Sequence, residues 1–549
     1  MNILTEIYVH SRKRRNKILL IFIFFTLQHN FLRAQGNWQW AHGNTDINNT
    51  TYFGESSMDK FNNNYVVGMY QIQGMFDTIP FSSGDTMNYF ALKIDSAGNV
   101  IWIKSFPYDN ALYINITAKP NGGCFLTGGY NDSIHFGTIT LHATDYQAFF
   151  VSLDANGDVE WAFNAEGGSE GISVACDKMG QPVFTGSFSA DTIEIAGVQF
   201  INTNIMTNNP AYIIKLDTAG NALWSKTING DIQLRSRKIA INDYNEVFFA
   251  CRIFSTAYFD SDSVAGPCEV LAKYDSIGTL QWVKNIVNGG WSEVRSITTD
   301  LNGNVYCVGS SEDQIAVFQS ISIPLFGSNG DFESFIAAYD STGNVIWANL
   351  HYSSNDVYLD DVTFSANGLI YFCGKFRGDT LLISNSGMNL IRLPDNFDQG
   401  YYGVCNISGN IISLEYFEGN INSSINVDGM NNIYLCGEAS DSVSLGSFQF
   451  ASGSLIAKHS DLFLNDQLTF KSHSLNVWPN PCNGTFLISN NFTETASLNI
   501  YTITGEKMLS KIIQPSTNTI ILDDVLSAGF YILEVNNKSD RYTGKILVY

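Results

Sequence analysis

The chain has 549 residues, 45% of them hydrophobic and 13% aromatic, with 46 Gly and only 11 Pro. That length supports several hydrophobic cores, and with no long amphipathic helical pattern in its body the sequence reads as β-rich and globular. A formal net charge of −22 repels phosphate backbones and argues against a nucleic-acid partner.

Residues 1–35 differ from all that follows. Arg12, Lys13, Arg14, Arg15 and Lys17 form a basic cluster, residues 18–27 are an apolar run, and Ala34 supplies a small residue for cleavage. The apolar run is too short to span a bilayer, so the segment is expected to be a secretory signal peptide cut near Ala34 or Gln35. No Cys follows it closely, which argues against a lipid anchor, and no transmembrane segment is expected elsewhere.

From residue 36 a repeat sets in. Trp102, Trp161, Trp224, Trp282 and Trp347 each lie seven residues after an Asp and four after a Gly, as in KIDSAGNVIW and AYDSTGNVIW. A sixth copy, VCNISGNIIS, carries Asn406 and Ser413 in place of Asp and Trp, and a fragment, GNWQW, ends at Trp40. Successive copies are 58 to 66 residues apart. Such self-similarity marks a repeat architecture. Each unit reads as four strands: an alternating strand ending in Asp, a strand such as NVYCVG ending in Gly, a third ending at the motif Asp, and a fourth carrying the Trp. The Gly-Asn pairs between them supply the φ > 0 of tight turns.

The second strand occurs seven times, at 64–68, 124–128, 182–186, 247–251, 305–309, 370–374 and 433–437. The last third strand, LIAKHS (455–460), has no Trp strand after it, while the Trp40 strand has no unit before it. A lone sheet leaves two raw edges, and radial closure protects them. Residues 36–460 are therefore expected to form a seven-bladed β-propeller of four-stranded blades, the strand of Trp40 completing the last blade near Ala457. Each repeat Trp should pack between blades, and its truncation should cost about 3–5 kcal/mol.

Seven long segments separate second from third strands: 69–88, 129–147, 187–210, 252–269, 310–333, 375–399 and 438–453. Strand alternation puts them on one face, and loops on a rigid scaffold commonly carry recognition. Tyr70, Phe76, Tyr258 and Phe326 lie there and suit carbohydrate or protein contact if exposed; the alternative is that they pack the long segments themselves. Cys124, Cys251, Cys307, Cys373 and Cys436 fall in second strands of different units, so they are expected to be small core residues with free thiols, beyond the bridging distance.

No catalytic, cofactor-binding or metal-binding residue is assigned. Gly167-Gly168-Ser169-Glu170-Gly171 matches GxSxG, but a hydrolase elbow needs a following helix and here a strand follows. Of the eight His, none forms an HExxH pair. Asp260 and Asp262 alone supply too few oxygens for Ca²⁺. The motif Asp is expected to cap its own turn. The Asp-Gly-Trp unit is similar to that of quinoprotein dehydrogenases, but seven units and no adjacent Cys pair depart from that family.

Residues 461–474 carry no repeat and read as a linker. After them, LNVWPNPCNGTFLI, ASLNIYTITG, EKMLSKII, NTIILDD, GFYILEV and YTGKILVY are short β-rich segments, expected to form a small Ig-like β-sandwich over 475–549. With Pro479-Asn480-Pro481, Gly505, Gly529, Tyr531 and Lys545, this stretch resembles the C-terminal sorting domain of proteins exported by the bacterial type IX secretion system. The resemblance implies periplasmic transit, recognition of the tail by the secretion machinery, and then release or surface attachment. The ending ILVY departs from the family in lacking the basic residue often found after the final valine. Residues 36–460 resemble the bacterial β-propeller repeat family of surface proteins, which implies a fold rather than an activity. The resulting expectation is a secreted or surface-attached, non-enzymatic binding or scaffold protein with an unidentified extracellular carbohydrate or protein ligand. The alternative is a glycan-cleaving enzyme on the same scaffold.

Overall fold

The computed structural model describes residues 38–43 and 51–460, apart from the short stretches 77–78, 204–208, 289–291, 313–314, 325–330, 379, 385–388, 392–398, 418, 420, 440–441 and 451–452, and within 471–548 the strands and a few residues beside them. The expected signal peptide, Phe326, Pro479, Pro481 and Gly505 lie outside the described residues. Every regular element described is a β-strand.

Between residues 38 and 460 the strands pair as four-stranded antiparallel meanders, seven among the described residues. Numbered in chain order, sheets 1 to 7 begin with Thr51–Met58, the second half of Val100–Ala118, Ser169–Cys176, Ile232–Ile241, Ser292–Thr299, Val357–Phe364 and Ile421–Val427. Sheet 5 is typical: Ser292–Thr299, Val305–Ser311, Glu333–Tyr339 and Val345–Tyr352, in that order. The turns form because their Asp supplies the missing acceptor. Asp300 Oδ1 accepts the backbone N–H groups of Asn302 (2.8 Å) and Asn304 (2.9 Å), and Asp340 Oδ1 does the same for Thr342 and Asn344 (both 2.9 Å). Sheets 1 and 2 share one continuous strand, Val100–Ala118, whose first half pairs with Ile79–Ile94 and second half with Cys124–Phe136. Sheet 7 combines Ile421–Val427, Ile433–Ala439 and Gly453–His459 with the N-terminal strand Trp38–Gly43, in register Trp40↔Lys458 and Ala41↔Ala457. The first strands of successive sheets touch in chain order, and that of sheet 7 touches that of sheet 1. They line a closed ring.

The repeat motif explains how neighbouring sheets hold together. The indole N–H of each motif Trp donates to a backbone carbonyl in the turn of the next sheet, at the residue after the motif Asp or, in the sixth copy, after Asn406. Trp102 reaches Ala155 (3.0 Å), Trp161 Thr218 (3.0 Å), Trp224 Ser276 (3.2 Å), Trp282 Ser341 (3.0 Å) and Trp347 Ile407 (2.8 Å). Trp40 closes the circle on Ser96 (3.3 Å). The motif Gly lies under the indole: a Cβ on Gly278, at φ +83, would stand 2.7 Å from the Trp224 ring, so the turn needs glycine for both conformation and contact. One junction lacks the device. Sheet 6 presents Ser413, and in sheet 7 no Asp-Gly turn joins the last two strands because they come from opposite ends of the described ring. Trp38 packs there instead against Phe417 (6.4 Å) and His459 (4.9 Å). Ser413 thus replaces Trp where the indole would have no turn to meet.

The long segments between second and third strands differ from expectation. Each of the seven folds as a two-stranded hairpin, such as Thr192–Ile195 with Val198–Ile201 or Ile315–Phe318 with Ile321–Pro324. Phe76, Phe136, Ile195, Phe259, Phe318, Ile383 and Leu445 occupy the same hairpin position, and all are buried. Several hairpins pair with the fourth strand of the preceding sheet, through Asn288↔Val317, His351↔Ile383 and Asn229↔Tyr258. Tyr70 and Phe76 are accordingly buried rather than offered to a ligand, while Tyr258 is 55% exposed. The hairpins cover open strand edges.

The nine cysteines are free thiols, and those of the second strands are buried in separate sheets. His351 lies fully buried between sheets 5 and 6 with Nδ1 2.9 Å from the Tyr401 hydroxyl. In the C-terminal part, a five-stranded sheet (Lys471–Ser474, Asp540–Val548, Gly529–Asn536, Ala496–Thr502, Lys507–Ile513) and a three-stranded one (Val477–Trp478, Thr485–Ile488, Thr519–Ile521) share a core of Phe486, Ile488, Leu498, Ile500, Leu533 and Ile546. Lys471–Ser474, inside the expected linker, pairs in parallel with Asp540–Val548, because that edge offers unpaired backbone groups.

Two stability predictions follow from these contacts. The motif tryptophans are only half-buried, so Trp282→Ala should lower stability in urea unfolding by about 2–3 kcal/mol, below the cost for a fully buried ring. Ser413→Trp should give no gain. Burial pushes the His351 pKa down to about 3. The folded state therefore resists a proton that the unfolded chain takes up below about pH 6.5. His351 contributes fully above that pH and progressively less as pH falls towards 3, at up to about 1.4 kcal/mol per pH unit. The urea midpoint of His351→Gln, compared with wild type at pH 7.5 and 4.5, should fall less on acidification.

Candidate functional site

Six of the seven first strands slip register against their second strands; only that of sheet 7 pairs regularly. In sheets 3, 5 and 6 the irregularity is a single extra residue, Ile172, Arg295 or Asp360. A bulge of this kind bends its strand and re-aims a side chain. It also explains the glycine that ends most second strands. A Cβ on Gly186 would lie 1.9 Å from the Glu170 carbonyl oxygen, and one on Gly309 2.0 Å from that of Glu293. The bulged strand occupies the space a side chain would need.

The bulged residues line a cavity of about 720 Å³ at the centre of the ring. Glu55 comes from sheet 1, Asn115 from sheet 2, Glu170 and Ile172 from sheet 3, and Lys238 from sheet 4. Glu293 and Arg295 belong to sheet 5, Asp360, Asp361 and Lys375 to sheet 6, and Ser424 and Glu438 to sheet 7. Lys375 and Glu438 stand near the ends of second strands, so the cavity lies towards the face from which the hairpins leave.

Hydrogen bonds between first strands make its floor. Asp361 Oδ1 accepts from the Ser296 hydroxyl (2.6 Å), and its Oδ2 from the Ile425 N–H (2.9 Å) and Ser424 hydroxyl (3.1 Å), joining sheets 5, 6 and 7. Ser424 Oγ in turn accepts from the Ser56 N–H (3.3 Å), Ser57 Oγ from the Ala118 N–H (2.9 Å), and Asn115 Oδ1 from the Val174 N–H (3.3 Å). Burial, reinforced by the neighbouring Glu55 carboxylate, pushes the Asp361 pKa up to about 6. Arg295 reaches Asp360 (2.8 Å) and lies over the Tyr358 ring at 4.9 Å. Lys238 extends from sheet 4 to Glu55 on sheet 1, 3.4 Å away.

Other sequence features hold structural posts. Ser169 is buried, with its hydroxyl donating to the Gly167 carbonyl (3.0 Å) and accepting from the Ala148 N–H (3.1 Å); strand Ser169–Cys176 follows, so the GxSxG match is no nucleophile elbow. Asp260 pairs with Lys226 at 2.8 Å. His42 packs on Trp40, His135 bonds Thr140, and His351 and His459 are buried in different sheet junctions. Of the cavity residues, sequence reasoning touched only Glu170, in the GxSxG match, and Lys375 and Glu438, the first residues of two of the long segments. The usable signal was the second-strand glycine, which faces the register slip in sheets 1, 2, 3, 5 and 6, whereas Gly437 of sheet 7 faces a regular strand.

Residues 476–549 match the family described as a secretion system C-terminal sorting domain. An uncharacterized WD repeat-containing protein of Acanthamoeba polyphaga mimivirus is 25% identical over 198 residues, 31% of this chain and 14% of the relative, so the chain spans about a seventh of that protein's length. Among solved structures, a GH93 alpha-L-arabinofuranosidase of Fusarium graminearum aligns over 63% of this chain and 92% of its own, with 8% identity and a TM-score of 0.35. The Neurospora crassa Pan2 WD40 domain aligns over 58% and 85%, with 8% identity and a TM-score of 0.29. A puromycin hydrolase aligns over 90% and 60%, with 10% identity and a TM-score of 0.38. No helix among the described residues is long and apolar enough to cross a membrane. The all-β ring is thus joined to a type IX secretion sorting tail, which directs the protein to the cell surface or the extracellular space.

Proposed function

We propose that residues 36–460 are a seven-bladed β-propeller acting as a non-enzymatic binding or scaffold module outside the cell, for a carbohydrate or protein ligand. In this reading residues 1–35 are a signal peptide, and the tail is an Ig-like sandwich that engages the secretion machinery. Ring closure through Trp38–Gly43 supports the propeller. The binding reading is carried by the central cavity, where bulges aim polar and charged side chains into one space on a rigid frame.

The competing enzyme reading needs two carboxylates about 5–9.5 Å apart acting as acid and base or nucleophile. Its candidate pair is Asp361 with Glu55, whose carboxylate adds to burial in pushing the Asp361 pKa up to about 6. Against it, Asp361 is engaged by the hydrogen bonds that join three sheets, and Glu55 by Lys238. Both assignments are proposals that one assay separates. Purified mature protein should bind one member of an extracellular polysaccharide and protein panel without releasing product. Turnover that disappears in Asp361→Asn or Glu55→Gln would replace the binding reading with the enzyme. For the tail, truncation after Ser460 should leave a folded ring that stays in the periplasm on cell fractionation; unchanged delivery to the surface or medium would defeat the sorting role.

A further inference from the structure

The charges around the cavity are unevenly placed. Among the described residues the lining cations, Lys238, Arg295 and Lys375, come from the consecutive sheets 4, 5 and 6, together with Glu293, Asp360 and Asp361. The remaining arc, sheets 7, 1, 2 and 3, contributes Glu438, Glu55 and Glu170 with Asn115 and Ser424, and no cation. Among the described lining residues carboxylates outnumber cations six to three, and two of the cations act on the second arc, Lys238 on Glu55 and Lys375 on Glu438. The second offers only carboxylates and neutral polar groups, over apolar Phe53, Ile114 and Ile172.

An ammonium already sits against that second arc. The Lys238 side chain leaves sheet 4, crosses the ring and ends 3.4 Å from Glu55 on sheet 1. Sheets 1 and 4 are not neighbours in the ring, and the lysine remains only partly buried, at 23% side-chain exposure. A primary ammonium on an unbranched alkyl chain thus fits the space and its acceptors, with the chain lying along the cavity wall. The tethered group also sets a competition: an incoming ammonium must take the Glu55 carboxylate from Lys238.

We propose that the central cavity recognises a primary ammonium group on an unbranched aliphatic chain, received by Glu55, Glu170 and Glu438, with Lys238 as its built-in competitor. This rests on the reading of the cavity as a binding site. The chemistry is common to a free polyamine and to a lysine side chain presented by a protein.

The test is calorimetric titration of the mature full chain with two probes, spermidine and the blocked pentapeptide Ac-Gly-Gly-Lys-Gly-Gly-NH2; their relative affinities identify the source. Both N-acetylated counterparts should fail to bind. Glu170→Gln or Glu438→Gln should weaken the better probe roughly tenfold, as expected for losing one charge-assisted contact. Lys238→Met should strengthen it by a similar factor, an opposite sign that misfolding would not produce. Equal binding of amine and acetylated probe, or unchanged affinity in Lys238→Met, would overturn the proposal. So would a neutral polysaccharide held in the cavity with no amine binding, which would leave the binding reading standing. Failure of every panel member and both amines would remove both readings.

Discussion

The ring depends on one recurrent contact, an indole N–H from the fourth strand of one sheet donated to a turn carbonyl of the next, with the turn glycine under the ring. A four-stranded sheet cannot cover its own faces, so its stability comes from its neighbours. Each latch joins the outer edge of one sheet to an Asp-capped turn of the next, and the hairpins make a second contact near the opposite ends of the strands. Together these fix the angle between sheets while leaving the first strands free to bulge at the centre.

That division explains what the sequence disclosed. The latch needs Asp to close a turn, Gly to make room and Trp to reach across, so its chemistry demands particular residues at fixed spacing. The pairing of Trp38–Gly43 with Gly453–His459 was legible for that reason. The hairpins were not recognised because they require only alternate apolar residues with a tight turn. Phe76, Phe136, Ile195, Phe318 and Leu445 share a role but not a residue type. The exposed reading of Tyr70 and Phe76 failed because a long segment between strands can still be edge-paired and buried.

The cavity was the least legible part. Its residues, Glu55, Glu170, Lys238, Arg295 and Asp360, share neither type nor spacing, since each sheet contributes differently to one asymmetric space. What repeats is the backbone device beneath them, a bulge facing a glycine such as Gly309 or Gly374. The motif glycine of the turn and the second-strand glycine look alike in sequence yet serve opposite ends of the molecule, one locking sheets together and the other admitting the lining of the central space.

The junction where Ser413 replaces tryptophan has a consequence for the order of events during synthesis. Strand Trp38–Gly43 is the first ring strand made, yet its partner is Gly453–His459, and the nearby bond between Phe53 and Ser454 joins residues 401 positions apart. Until the last sheet exists, the leading strand has an exposed edge and nothing to pair with. Six sheets can stack in turn through short-range contacts, whereas closure must meet the loop entropy of nearly the whole ring at once. A chain made from its N-terminus therefore remains an open, incomplete circle until the residues just ahead of its sorting tail have emerged, so that the tail is made soon after the strand that completes the fold.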